Sequence, residues 1–189
     1  MQDIKAIETE YNGYRFRSRL EARWAVFFDA IGIEYDYEVE GYCFSDGTKY
    51  LPDFYLPESD AFFEVKGKMD DYDMHKVKML IKEINKPCTI GYSDFTFQSC
   101  DKWSDNDYDL TDKISSVLVE CTACHKKYFA GINGQYVCQV CGAYDGDHYF
   151  NTICDGDHQC LDPIMWDAIL KAKQARFEHG EKGALYAER

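Results

Sequence analysis

The sequence predicts an α+β fold: a mixed β-sheet flanked by helices, followed by a small metal-bound ribbon and a last helix. Three observations predict it. An apolar stripe at helical spacing over residues 18–32 precedes two short aromatic strands, 50–56 and 61–67, each with charges at its centre. A second helical stretch at 72–85 then leads into an apolar run at 88–92, giving the order αβββαβ. In the second half lie two Cys-x-x-Cys pairs, Cys121 with Cys124 and Cys138 with Cys141. Two domains are expected, 1–112 and 113–189.

Taken in order, residues 11–16 suit a short strand broken at Asn12-Gly13. Ser18 suits a helix N-cap, and Leu20, Trp24, Phe27, Phe28 and Ile31 recur at helical spacing until Gly32 stops the run. Glu21, the third residue after Ser18, fits a capping box and so has a purely structural reading. Residues 33–40 alternate acidic and apolar side chains, as a strand with one wet face does. On strand 61–67, Glu64 and Lys66 share a face with Phe62, while Phe63 and Val65 face the other way. Asp53 sits between Leu51 and Tyr55 on strand 50–56. Charges in the middle of apolar strands are costly unless they are paired or hold a cation, and that cost points to a function. The helix at 72–85 carries Met74, Val77, Ile81 and Ile84 on one side, with His75 on a solvated basic face.

Pro52-Asp53 on one strand and Glu64-Val65-Lys66 on the next, with ten residues between Asp53 and Glu64, resemble the signature of the PD-(D/E)XK nuclease superfamily. The stretch from Arg17 to Trp24 resembles the first-helix element of small bacteriophage and bacterial nucleases of this kind. The resemblance covers about half of the chain. It implies a restriction-endonuclease-like core and hydrolysis of DNA phosphodiester bonds by an endonuclease of phage origin. It further implies magnesium or manganese held by Asp53, Glu64 and the main-chain carbonyl of Val65, hard oxygens suited to such an ion. Lys66 would orient or deprotonate the attacking water, or offset charge building on phosphorus. Glu21 acquires a second reading from the resemblance, as a carboxylate that reaches the metal directly or through water.

Beyond residue 92 the character changes. Residues 93–113 interleave Asp101, Asp105, Asp107, Asp109 and Asp112 with Trp103 and Tyr108, and read as a linker or acidic loop. A strand is expected at 114–119. The two cysteine pairs follow, thirteen residues apart and joined by a strand pair around Asn133-Gly134, the pattern of a structural zinc ribbon with four thiolate ligands. Lys126 and Lys127 beside the first pair suggest a ribbon that helps grip substrate or docks a protein. His148, Cys154, His158 and Cys160 raise a second, irregularly spaced metal cluster, against which Asp155, Gly156 and Asp157 read as a plain turn. Asp162-Pro163 starts a final helix, with Asp as N-cap and Pro at the first position, and Trp166, Ile169, Lys173 and Phe177 marking its inner side. A frayed tail is expected after Gly180.

Composition sets the limits. The 189 residues, 16% of them aromatic, suffice for a sizeable core. No apolar run approaches the roughly 20 residues of a membrane span. The opening Met1-Gln2-Asp3-Ile4-Lys5 lacks the pattern of a signal peptide, so a cytoplasmic location is expected, in a host cell if the protein is phage-encoded. There, nine cysteines favour metal ligands over disulfides. The net charge of −13, from 21 basic and 34 acidic residues, runs against a nucleic-acid partner. Local basic runs, Arg15, Arg17, Arg19 and Arg23 among them, can still serve one. The alternative function is a catalytically silent binder that keeps the nuclease fold and uses its acidic surface on a host defence or replication protein.

Overall fold

A hairpin of β1 (Thr9–Tyr11) and β2 (Tyr14–Phe16) leads the chain into the fold. Its turn residues Asn12 and Gly13 both have positive φ, 48° and 84°, the backbone twist that two-residue hairpins need. The structure is a computed structural model, and it describes residues 7–104, 107–110, 116–131, 137–144, 150–158 and 162–177. Helix α1 (Arg19–Ile31) begins at Ser18, whose hydroxyl accepts the Glu21 N–H, and ends at Gly32 in the left-handed conformation. Both ends are those expected from the sequence. Its side chains Trp24, Phe27 and Phe28 are fully buried, each worth about 1.5–3 kcal/mol of apolar burial.

After α1 come β3 (Asp36–Tyr37), then a small hairpin of β4 (Tyr42–Cys43) and β5 (Lys49–Tyr50), then β6 (Phe54–Leu56) and β7 (Ala61–Lys66). Helix α2 (Asp71–Ile84), capped by Asp70 and closed by Asn85, crosses over to β8 (Cys88–Tyr92). Strands β9 (Phe97–Ser104) and β10 (Asp107–Leu110) finish a six-stranded sheet in the order β10-β9-β8-β7-β6-β3. Pairing is antiparallel except between β7 and β8, which the α2 crossover makes parallel. The second half folds as a three-stranded antiparallel sheet, β12-β11-β13, from β11 (Ser116–Cys121), β12 (Lys127–Gly131) and β13 (Phe150–Asp155), followed by α3 (Pro163–Gln174). The molecule is thus a mixed α+β fold with three helices and several sheets among the described residues.

Four local expectations are corrected. The strand at 33–40 shrinks to two residues, because Glu38 turns to φ 48° and donates its N–H to the Asp53 carbonyl. The strand at 50–56 is split at Pro52, which has no N–H for a ladder, so Asp53 sits at the break and not inside a strand. The described part of 93–113 is no linker: β9 and β10 extend the sheet from the edge of β8. Trp166 is 60% exposed, because the inner stripe of α3 is Met165, Ala168, Ile169 and Ala172, about 100° away from it.

Two apolar clusters cover the two faces of the large sheet. Phe62 joins Val77, Leu80 and Ile81 of α2 on one, and Phe63 joins Trp24 and Phe28 of α1 on the other, the alternation expected for β7. The α1-side cluster runs on into the second half through Leu118, Phe129, Ile153 and Met165. The Phe129 ring lies 5.1 Å from that of Phe63 and 4.9 Å from that of Phe97. Helix α3 packs directly on α1, and the buried alanines Ala22, Ala25, Ala168 and Ala172 permit a close approach. The expected domain boundary at 112/113, the turn at Asn133-Gly134 and the tail after Gly180 fall outside the described residues. No described helix is long and apolar enough to cross a membrane.

Candidate functional site

The break before β6 and the centre of β7 bring Asp53 and Glu64 side by side. Both carboxylates are almost fully buried, at 3% exposure each. The Val65 N–H donates to Asp53 Oδ2 at 2.8 Å and the Asp53 N–H donates to Glu64 Oε2 at 3.2 Å, so each acid is fixed by backbone at or beside the other. Glu21, from the first turn of α1, reaches the same place. One cleft of about 340 Å³ is lined by Glu21, Asp53, Glu64, Val65 and Lys66, and by Arg17, Tyr50 and Lys76. The structure therefore brings together every residue that the sequence singled out here.

Electrostatically the cleft sets three buried acids, Glu21, Asp53 and Glu64, among the cations Arg17, Lys49, Lys66 and Lys76. Burial, then the Glu64 and Glu21 charges, hold the Asp53 carboxyl well above the usual carboxylate range. Arg17 Nη2 lies 2.7 Å from Asp53 Oδ1, and its guanidinium also pairs with Glu38. Lys66 Nζ lies 2.9 Å from Glu64 Oε1 and 3.0 Å from Asp73 Oδ1 on α2. Burial works against the Lys66 ammonium, but these two carboxylates outweigh it and raise its pKa. Tyr50 borders the acids with a deeply buried ring, and burial, then Glu64, push its hydroxyl well up.

Glu21 shows a capping role and also lines the cleft. Its carboxylate accepts from the Ser18 hydroxyl at 2.7 Å, from the Arg17 N–H at 3.1 Å and from the Tyr37 hydroxyl. This is a capping arrangement moved one residue upstream, and it aims the acid into the cleft. Arg17, Asp73, Lys76 and Tyr50 were not singled out as site residues from sequence. A basic residue directly before the N-cap and an acid in the first turn of α2 were the available signals.

A divalent cation suits this donor set of hard, buried and mutually repelling oxygens, of which Asp53 is paired with Arg17 and Glu64 with Lys66. The three carboxylates do not close a ready cage. Among the described residues, only Cys121, Cys124, Cys138 and Cys141 gather three or more such ligand atoms within 4.8 Å of one another.

That second centre forms where β11 ends and two knuckles turn. His125 at φ 61° and Gly142 at φ 74° make the tight bends, and the Cys121 N–H closes the first on the Lys126 carbonyl. Cys121 and Cys141 sulfurs lie 3.6 Å apart, Cys124 and Cys138 sulfurs 3.4 Å apart. A tetrahedral zinc with arms of about 2.3 Å has edges of about 3.8 Å, so the four are placed to bind a metal ion such as zinc. Burial resists ionisation of Cys138, but the Tyr128 hydroxyl and the Cys141 N–H outweigh it and bring its pKa down to about 6. Lys126 and Lys127 are engaged by Glu58 and Glu120. His75 pairs with Asp46 at the surface.

Of the suggested second cluster, His148 and Cys160 lie outside the described residues. Cys154 is fully buried in the α1-side core, and His158 Nε2 is bound to the Phe95 carbonyl at 2.8 Å.

No model of a known protein family matches the chain, and no curated protein is similar to it in sequence.

Proposed function

We propose that the protein is a metal-dependent nuclease of the PD-(D/E)XK type that hydrolyses phosphodiester bonds of DNA, with the cleft around Asp53 as its active site. The observation that carries this reading is the convergence of Glu21, Asp53, Glu64 and Lys66 on one cleft from three separate elements. The element order supports it as well. Helix α1, the antiparallel strands β3, β6 and β7, the crossover helix α2 and the parallel strand β8 come in the order that the resemblance implies, with hairpin β4-β5 set between β3 and β6.

In this reading Asp53, Glu64 and the Val65 carbonyl hold magnesium or manganese, which supplies Lewis-acid activation of the phosphodiester and of water. Glu21 assists through its place at the start of α1. Lys66, held between Glu64 and Asp73, orients the attacking water and offsets charge on phosphorus. Arg17, half exposed over Asp53, is placed to turn outward to a phosphate. Zinc at the four cysteines is structural, since a full set of thiolates leaves no open position.

Plasmid, linear duplex, single strands and RNA incubated with magnesium, manganese or chelator test the reading. Cleavage that requires the metal and falls at least a hundredfold in Glu64→Ala is expected. Failure to cut any of these substrates in any metal favours the silent binding protein, whose acidic surface the net charge of −13 already supplies.

A further inference from the structure

In a chain with a net charge of −13, most resolved cations near the site are already spent on acids. Arg15, Arg17, Lys66, Lys76, Lys86, Lys126 and Lys127 all form ion pairs. Arg23, Lys173 and Arg176 form none among the described residues, and yet they line a single cleft of about 600 Å³ together with Gln174. Arg23 Nε is shut off from solvent and has no hydrogen-bond acceptor among the described residues. A guanidinium fork beside an ammonium fits phosphate oxygens, and the volume matches a nucleotide-sized group.

Position adds a second argument. Lys173 Nζ stands 5.9 Å over the ring of Phe95, in the turn that follows β8. Trp24, next to Arg23, donates its indole N–H to the Tyr92 carbonyl at 3.2 Å, and Tyr92 is the strand neighbour of Lys66. The basic cleft and the acidic one therefore share α1 and the same end of the sheet, with Glu21 serving one and Arg23 the other.

We infer that the cleft between α1 and α3 binds the phosphodiester backbone of a nucleic-acid strand, gripping it through Arg23, Lys173 and Arg176 beside the acidic cleft. The inference deepens the nuclease reading and rests on it for what happens to the strand, but binding itself needs no turnover. It also removes the conflict between an acidic protein and an acidic substrate, because local potential and not net charge governs where a strand lands.

Fluorescence anisotropy with labelled duplex and single-stranded 20-mers, in magnesium-free buffer over a salt series, tests it. Lys173→Glu combined with Arg176→Glu changes two exposed side chains, and a melting curve checks that the fold is kept; Arg23→Gln is the third probe. The double variant is expected to bind at least tenfold more weakly, with the log–log salt slope reduced by about 2 for two lost phosphate contacts. Unchanged affinity and slope overturn the inference, and so does saturation by inorganic phosphate with no oligonucleotide binding. Metal-dependent cleavage that the double variant retains in full sinks the inference and leaves the nuclease reading standing. Weakened binding in a protein that never cuts does the reverse.

Discussion

At the scale of single residues, Asp53 is a strained electrostatic position. Its folded-state pKa lies above that of the unfolded chain, so the folded form binds the proton more tightly. Stability contributed there is therefore lost as pH rises from the ordinary carboxylate range through the raised value. In magnesium-free buffer, Asp53→Asn keeps an acceptor for the Val65 N–H and relieves the repulsion. It is expected to raise Tm at pH 7 by about 2–4 °C, on the order of 1 kcal/mol, with a gain that shrinks toward pH 4. Calorimetry across that range checks it, and a loss of Tm at neutral pH refutes it. Glu64 and Lys66 were legible in the sequence because charges inside an apolar strand break the alternation rule, and Asp53 through its place after Pro52 and its spacing from Glu64, although it lies at the break before β6. Arg17 and Asp73 were not, because each reaches the cleft only once a helix start has been docked beside the sheet.

At the scale of elements, β8 explains how α1 lies so close on the sheet. A Cβ at Gly91 would stand 2.5 Å from the Phe63 ring and 2.6 Å from the Trp24 ring. Gly91→Ala is expected to cost about 1–3 kcal/mol through overpacking, without touching a site residue. Urea denaturation measures it, and wild-type stability in the variant refutes the packing account. The caps of α1, the N-cap of α3 and strand β8 were legible because local chemistry decides them, whereas the β1-β2 pairing and the Asp70 cap of α2 were not foreseen. Strands β9 and β10 escaped notice because their acidic composition speaks for a loop, while the unpaired edge of β8 decides otherwise.

At the scale of the whole molecule, the ribbon and the larger sheet share one core through Phe129 and Leu118. Removing the metal from the four cysteines should then weaken both halves together. A strong zinc chelator is expected to lower Tm by at least 10 °C in a single calorimetric transition. Two resolved transitions, with the larger unaffected by chelator, refute this coupling. Sequence could show the four ligands by their spacing, yet it could not show that the ribbon's aromatic ring lies against Phe63, since that contact joins residues far apart in the chain.

The contact of α3 with α1 has a consequence for biosynthesis. About 130 residues separate Ile31 from Pro163, which at 5–20 residues per second is roughly 7–26 s of translation. Throughout that interval the alanine-lined flank of the first helix has no lid, and the nascent chain leaves the ribosome with its oldest apolar surface still waiting for its youngest.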